Sequence, residues 1–154
     1  MLSIRKANPQ DADRIAAIVN AAFEFERDFR HGDRTSPTEI VRLVNDSAFL
    51  LALRDNRIVG AVHVRVTGPT GYFGMLSVDP DSQRAGIGRF LVDAAEAYCR
   101  DCECERVTLT TGHFRTELLA WYGKLGYQTL SVDPAPPDAP FFKPIQFVKM
   151  AKPL

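Results

Sequence analysis

The sequence has no excess of positive or negative charge, and it has no long apolar run. Nineteen Lys and Arg residues balance nineteen Asp and Glu residues, so the overall electrostatic field favours neither nucleic acid nor an anionic membrane as a partner. No apolar stretch approaches the roughly 20 residues needed to cross a bilayer. The first residues, Met1 to Lys6, lack the apolar core of a signal peptide. These absences predict a cytoplasmic protein with no membrane or nucleic-acid partner.

Cysteine is also scarce, because the chain has three, Cys99, Cys102 and Cys104, all within one short segment. Cys-x-x-Cys can bind zinc, but a structural zinc site needs about four ligands from two separated pairs, and no second Cys or His pair has a usable spacing. An odd number of cysteines without an export signal argues against a disulfide framework. We therefore expect free thiols at the end of a helix and no metal.

What the sequence does contain is the composition of one globular domain. It has 154 residues, of which 45% are apolar and 25% charged, and single domains usually run to roughly 100–200 residues. No internal repeat or linker divides it. We expect a single domain over residues 1–154 that buries a proper core.

Hydrophobic periodicity predicts the element order βααβββαβαββ. Strands in sequence, followed by strands that alternate with helices, predict an α/β protein (an α+β mixed sheet) covered by helices. The strands are expected at residues 2–7, 48–54, 57–67, 72–79, 105–111, 127–132 and about 144–151. The first helix is expected to begin at Pro9 with Asn8 as its N-cap, and the second at Ser36-Pro37-Thr38-Glu39, which fits a capping box. Two more helices are expected over 86–100 and over 115–125, with Gly126 after the last one.

The segment from Met75 to Arg89 carries the most specific chemistry. An apolar strand ends at Asp79, and a glycine-spaced loop then opens directly into an amphipathic helix. The first N–H groups of a helix lack internal partners and lie at the positive end of its dipole, and glycines at 86 and 88 add no Cβ that would hold a phosphate away. We expect the amides of residues 84–89 to bind a pyrophosphate, with charge from two flanking arginines. The alternative is a glycine loop that merely packs closely against its helix.

Gln83-Arg84-Ala85-Gly86-Ile87-Gly88 resembles the Q/R-x-x-G-x-G/A motif of the GNAT superfamily of acyl-CoA-dependent N-acyltransferases. The preceding Leu-Ser-Val-Asp-Pro looks like the family's strand before that loop. The segment from Tyr122 to Tyr127 resembles its second signature, Tyr-x-x-x-Gly-Phe/Tyr. The element order and the last strand agree too, so the resemblance covers nearly the whole chain.

The resemblance implies a splayed central sheet and acetyl-CoA as co-substrate. It implies direct transfer to an amine while both substrates are bound, without a covalent intermediate and without a metal. The backbone of the strand before the loop would pair with the pantetheine arm, and one of its N–H groups would face the thioester oxygen. The expected cofactor-binding residues are Leu76, Ser77, Val78, Gln83, Arg84, Ala85, Gly86, Ile87, Gly88 and Arg89.

Tyr122 occupies the family's general-acid position, according to the same resemblance. CoA leaves as a thiolate when an amine attacks the thioester, and a nearby phenol can protonate that thiolate. The alternative is a tyrosine that packs on its ring and hydrogen-bonds only at its rim. Seven residues earlier the family often carries an asparagine that contacts the cofactor arm. Here the residue is Arg115, so that contact is lost or replaced.

The acceptor is expected between residues 24–35 and the proline-rich segment 133–143. Glu24 and Glu26 are candidates for binding it, or for acting as a base through water, since an amine with a pKa near 10.4 must lose a proton before attack. The alternative is a solvated charged face. Acidic residues in both segments would suit a cationic amine, although three arginines share the region. His63 is expected in the sheet, and His113 within reach of the cleft.

Several points stay open from the sequence. The acceptor is either a small-molecule or a peptide amine, and the acyl group is either acetyl or longer. The chain is either a monomer or a homodimer. A further alternative is a non-catalytic module that retains the acyl-CoA loop but has lost turnover.

Overall fold

Within residues 1–83 and 85–154, which the computed structural model describes, seven strands form one mixed sheet and four α-helices cover it. Short 3-10 helices occupy Pro9–Asp11, Glu24–Asp28 and Pro80–Ser82. The strands are β1 (Leu2–Lys6), β2 (Ala48–Arg54), β3 (Arg57–Thr67), β4 (Thr70–Val78), β5 (Arg106–Gly112), β6 (Gln128–Pro134) and β7 (Gln146–Pro153). The helices are α1 (Ala12–Ala22), α2 (Pro37–Asp46), α3 (Ile87–Asp101) and α4 (Thr116–Lys124). The predicted element order and mixed sheet are confirmed.

The ends of the helices follow from residues that the sequence places there. The Asn8 side chain caps the 3-10 helix that leads into α1, and the Ser36 hydroxyl caps α2. Gly86 precedes α3 with a φ of +74° and Gly126 follows α4 with a φ of +100°. Both angles lie in the left-handed region that glycine adopts without steric cost.

The centre of the sheet is buried on both faces, whereas the edge strand β6 is largely exposed. Along β2, Phe49 and Leu51 pack with α1 and α2, whereas Leu50 and Ala52 belong to the larger core that includes α3. This alternation explains why β2 is a continuous apolar run, since each of its faces is covered by helices. Full burial of each large side chain stabilises the fold by roughly 1.5–3 kcal/mol.

A cleft opens in the middle of the sheet because β4 and β5 diverge. The sheet order is β1-β2-β3-β4-β5-β7-β6, and β4 and β5 are its parallel pair. They pair only from Thr70 to Tyr72 with Arg106 to Thr108. Beyond these residues β4 remains paired with β3, and β5 with β7. The two halves of the sheet therefore separate toward the carboxyl ends of both strands, as the predicted splay requires.

A β-bulge lies in β4 beside this cleft. Met75 and Leu76 of β4 together lie opposite Val62 of β3. Met75 has a φ of +51°, which lies in the left-handed region and is uncommon for any residue other than glycine. Such a bulge bends its strand and changes the direction in which the backbone groups point. It lies where the strand begins to line the cleft.

Candidate active site

A cavity of about 190 Å³ lies in the cleft between the diverging strands. Its walls come from residues 72–76 of β4, residues 109–112 of β5, the start of α4, and the segment between α1 and α2. Ile145, just before β7, and Phe147, within it, complete the lining. The cavity adjoins the strand predicted to bind a cofactor arm and the segment 24–35 predicted to contact an acceptor, but no residue of the predicted segment 133–143 lines it.

Tyr122 lies in the wall of this cavity and is 4% exposed. Its ring centroid is 6.0 Å from that of Phe73 and 5.7 Å from that of Tyr127. The hydroxyl has no hydrogen-bond partner among the described residues, yet it is not sealed from solvent, so it is open to the cavity. Burial raises the pKa of the phenol, while the nearby Arg115 guanidinium opposes that rise. The phenol is therefore protonated at neutral pH and can donate its proton.

The predicted arm-binding residues, Leu76, Ser77 and Val78, form the end of β4 beyond the bulge. Leu76 lines the cavity. The Ser77 side chain is buried and its hydroxyl donates to the Met75 carbonyl at 2.9 Å, so this side chain is not available to a ligand. On the side facing β5, this stretch has no strand partner. Its backbone can therefore hydrogen-bond an extended chain, as an edge strand does.

The turn after β4 is held by Asp79. Its carboxylate accepts hydrogen bonds from the Asp81 N–H at 3.0 Å and from the Arg14 guanidinium at 2.6 Å. These contacts, the backbone bond first, lower the pKa of Asp79. Asp79 therefore has a structural role, which is to close the turn together with Pro80.

Open space surrounds the glycines of the loop. Among the described residues, a Cβ built on Gly86 would contact nothing within 4 Å, and one on Gly88 would contact only the Trp121 ring, at 3.8 Å. The amides at the start of α3 are therefore accessible to a ligand. Arg84 lies outside the described residues.

The other predicted loop residues differ in what their side chains can do. Gln83 and Ala85 are exposed, and the Gln83 side chain donates to the Val78 carbonyl at 3.4 Å. Ile87 is buried in the core, so it would serve a ligand through its N–H alone. The Arg89 guanidinium is exposed and donates to Asp93 at 3.1 Å.

Of the two predicted acceptor-site glutamates, the structure brings only Glu26 to the cavity. Its carboxylate accepts from Arg30 Nε at 2.7 Å, and the two side chains are 13% and 12% exposed. Glu24 is 71% exposed, lies 3.9 Å from Arg27 Nε, and does not line the cavity. Among the described residues that do, the charged side chains are Glu26 and three arginines at positions 30, 34 and 115. This wall is therefore not the acidic surface that the sequence predicts for a cationic acceptor.

Sequence reasoning did not identify the aromatic wall of the cavity. Phe25 and Phe29 of the segment between α1 and α2 approach Phe114, with ring centroids 6.3 and 5.1 Å apart. Phe23 and Phe147 also line the cavity. The signal in the sequence was the presence of three phenylalanines at positions 23, 25 and 29 of an otherwise polar segment. The 3-10 helix at Glu24–Asp28 brings these rings to the cleft.

None of the three histidines lines the cavity. His63 is buried in β3, its Nε2 is 2.7 Å from the Ser47 hydroxyl, and burial lowers its pKa to about 4. His113 Nδ1 accepts from the Gln146 N–H at 3.1 Å. The His31 ring packs on Phe142. These positions offer no histidine as a base in direct contact with an acceptor.

The cysteines are free thiols, of which Cys99 and Cys104 are buried and Cys102 is exposed. Within residues 1–83 and 85–154, no group of three or more potential metal ligands is clustered. In the same part of the chain, no helix combines the length and apolar character that a bilayer-spanning helix needs.

Comparison with known proteins gives three findings. Residues 13–127 match the acetyltransferase (GNAT) family. Over 131 residues the chain is 30% identical to a Bacillus subtilis (strain 168) protein assigned as an acetyltransferase, covering 84% of this chain and 86% of that one. Over 109 residues it is 33% identical to the mycothiol acetyltransferase of Cellulomonas flavigena, covering 61% of this chain but 31% of that protein.

The fold is also that of a solved structure. A Salmonella typhimurium protein assigned as an acetyltransferase, solved with its cofactor acetyl-CoA, superimposes with a TM-score of 0.75. The superposition covers 99% of this chain and 94% of that one, at 16% sequence identity. At this identity the likeness concerns the fold.

Proposed function

Because the chain belongs to the GNAT family of acetyltransferases, we propose that it transfers the acetyl group of acetyl-CoA to an amine while both substrates are bound. The observation that carries this proposal is the cleft between β4 and β5, where the Tyr122 hydroxyl is open to a cavity beside unpaired strand backbone. Holding two substrates in one cleft converts a bimolecular encounter into an oriented reaction.

The described residues fit the cofactor. The open space around Gly86 and Gly88 lets a pyrophosphate approach the amides of Ile87, Gly88 and Arg89, which have no partners within the helix. On the side facing β5, the backbone of residues 76–78 has no strand partner and would hydrogen-bond an extended pantetheine arm. Acetyl-CoA, when bound, supplies the acyl group as a thioester.

The chain's own residues would then act at two atoms. A backbone N–H of Leu76 or Ser77 beside the bulge would donate to the thioester oxygen and stabilise the charge that develops there. Tyr122 would donate its proton to the departing thiolate sulfur. Its raised pKa favours the protonated phenol until the thiolate forms.

The proton of the incoming amine needs a separate acceptor. Glu26 supplies the carboxylate of the described cavity wall, and we propose it as the group that receives this proton through water. Its carboxylate is held in place by Arg30 Nε at 2.7 Å. Glu24 is too far out on the surface for this role.

Tyr122→Phe tests the proposal, because it removes the hydroxyl and keeps the ring. We expect kcat to fall about 100-fold or more, as for loss of a general acid, while the Kd of CoA stays within about twofold. Free-thiol release measures the first quantity and calorimetry the second. Tyr98→Phe, which makes the same change on α3 outside the cavity, is the control.

The outcomes separate the alternatives. An unchanged kcat in Tyr122→Phe would refute the catalytic role of the hydroxyl. A wild-type protein that binds CoA but transfers no acyl group to any amine, across a panel of acyl donors and of small-molecule and peptide amines, would be a binding module instead. Gly88→Leu should weaken CoA binding at least about tenfold, whereas the exposed Gly123→Leu on α4 should not. Equal affinities would refute the pyrophosphate site.

A further inference from the structure

Two guanidinium groups in the cavity wall have no carboxylate partner. Arg30, Arg34 and Arg115 line the cavity together with a single carboxylate, that of Glu26. Arg30 forms the ion pair with Glu26. Within residues 1–83 and 85–154, no salt bridge joins Arg34 or Arg115 to an acidic side chain. The described part of the wall therefore carries three positive side chains and one negative one, and Glu26, which pairs with Arg30, acts on Arg115 only from beyond ion-pair distance.

Aromatic rings hold both guanidinium groups in place. Arg115 Cζ lies 4.3 Å from the centroid of Phe25, and Arg34 Cζ lies 5.4 Å from that of Phe23. The two rings are themselves stacked, with centroids 5.8 Å apart. A cation–π contact orients the guanidinium and leaves its N–H groups free to donate. Two such groups on neighbouring rings are suited to binding an anion.

Arg115 lies close to the proposed reaction centre. It is the residue immediately before α4, Tyr122 follows seven residues later within that helix, and both side chains line the cavity. Each group also affects the pKa of the other: the Arg115 guanidinium counters the rise caused by burial of Tyr122, and Tyr122 counters the fall caused by burial of Arg115. An anion bound by Arg115 would therefore lie near the site of acyl transfer.

We propose that the acceptor is an amine that also carries a carboxylate, and that Arg34 and Arg115 bind this carboxylate. The inference rests on the proposed function. Phe25, Phe29 and Phe114 form an apolar wall beside the two arginines, so the rest of the acceptor is apolar. Free hydrophobic amino acids combine these three features. The two positive charges also favour the neutral form of the nearby amine, which is the form that attacks.

Matched acceptors test the proposal. L-phenylalanine and L-leucine are each compared with their primary amides, which keep the amine and the side chain but lack the negative charge. We expect wild-type kcat/KM to be at least about tenfold higher for the acids, since hydrogen bonds between charged groups are worth about one to two powers of ten. More of an amide's amine is unprotonated at neutral pH, so a preference for the acids cannot come from amine basicity.

Variants assign the preference to the two arginines. Arg34→Gln and Arg115→Gln should each lower the ratio of kcat/KM for the acids to kcat/KM for the amides by about tenfold or more, whatever Arg115→Gln does to both through Tyr122. Arg115→Lys, which keeps the charge, should recover part of the loss. Arg27→Gln removes a charge from the same segment, but Arg27 is exposed and directed to Asp33 at 2.9 Å. It should leave both substrate classes unchanged.

Failure of the proposed acceptor and failure of the proposed function give different results. Equal rates for acids and amides, or an equal loss for both in the arginine variants, would overturn the proposed acceptor while acetyl transfer itself stands. Preference for an amine with no carboxylate would overturn it in the same way. Absence of transfer to any amine would refute the proposed function and, with it, the acceptor that rests on it.

Discussion

Replacing Gly71 by alanine tests how tightly the sheet is packed where the cleft begins. Gly71 of β4 is paired with Val107 of β5 in the short parallel stretch before the two strands diverge. A Cβ on Gly71 would overlap Cys99 Sγ and lie 3.1 Å from Cys99 Cβ. Cys99 is fully buried in α3, so the clash cannot be relieved by moving its side chain into solvent.

The size of the effect follows from two opposing contributions. Overpacking a well-packed core costs about 1–3 kcal/mol, whereas replacing glycine in a strand by alanine contributes about 0.5–1 kcal/mol of stability through the unfolded chain. We therefore expect Gly71→Ala to lower the free energy of unfolding by about 1–2 kcal/mol. Cys99→Ala alone should cost about 0.5–1.5 kcal/mol, as for deletion of a group of methyl size.

The double variant makes the test specific. In Gly71→Ala with Cys99→Ala, the new methyl group occupies space that the sulfur has left, so the combined loss should be about 1–2 kcal/mol smaller than the sum of the single losses. Urea denaturation of the four proteins, followed by circular dichroism, measures this coupling. In thermal unfolding, each kcal/mol corresponds to about 2–4 °C for a chain of this size. Additive losses, or a Gly71→Ala variant as stable as wild type, would refute the packing argument.

Two further predictions concern buried groups outside the cavity. The pKa of His63 is lowered from 6.5 to about 4, so the unfolded chain binds the proton first and the free energy of unfolding should fall by at most about 3 kcal/mol as pH drops from 6.5 to 4. Denaturant unfolding of His63→Gln over this pH range should lack that loss. Identical pH profiles for His63→Gln and wild type would contradict the shift. Lys152→Met should destabilise the protein by about 2–3 kcal/mol, because Lys152 Nζ lies 3.1 and 3.2 Å from the two carboxylate oxygens of buried Glu96. Without it, the buried charge would keep only the longer ion pair with exposed Arg100, at 3.7 Å. Adding Glu96→Gln should restore part of that loss, since the amide still accepts from the Tyr127 hydroxyl that now donates at 2.7 Å; strictly additive losses would count against this network.

The order of the elements could be predicted because it depends on local signals. Apolar spacing, capping by Asn8 and Ser36, and glycines at 86 and 126 mark helices and their ends without reference to distant parts of the chain. The predicted and observed bounds of an element differ by one or two residues where a tertiary contact extends that element. β4 begins at Thr70 instead of residue 72, for example, because Thr70 pairs with Arg106 of β5. The predictions of one domain over residues 1–154, and of a monomer or homodimer, stay predictions.

The sequence by itself determined the fold family, the glycine loop and the position of Tyr122, because each is carried by residues close together along the chain. Only the tertiary structure decided which side chains face the cavity. It turned Glu26 inward and left Glu24 at the surface, and it brought Phe25 against Phe114 and Arg115, which lie about ninety residues later. Those contacts depend on how a 3-10 helix packs against the opened end of a sheet, and packing between distant segments leaves no periodic pattern in either one.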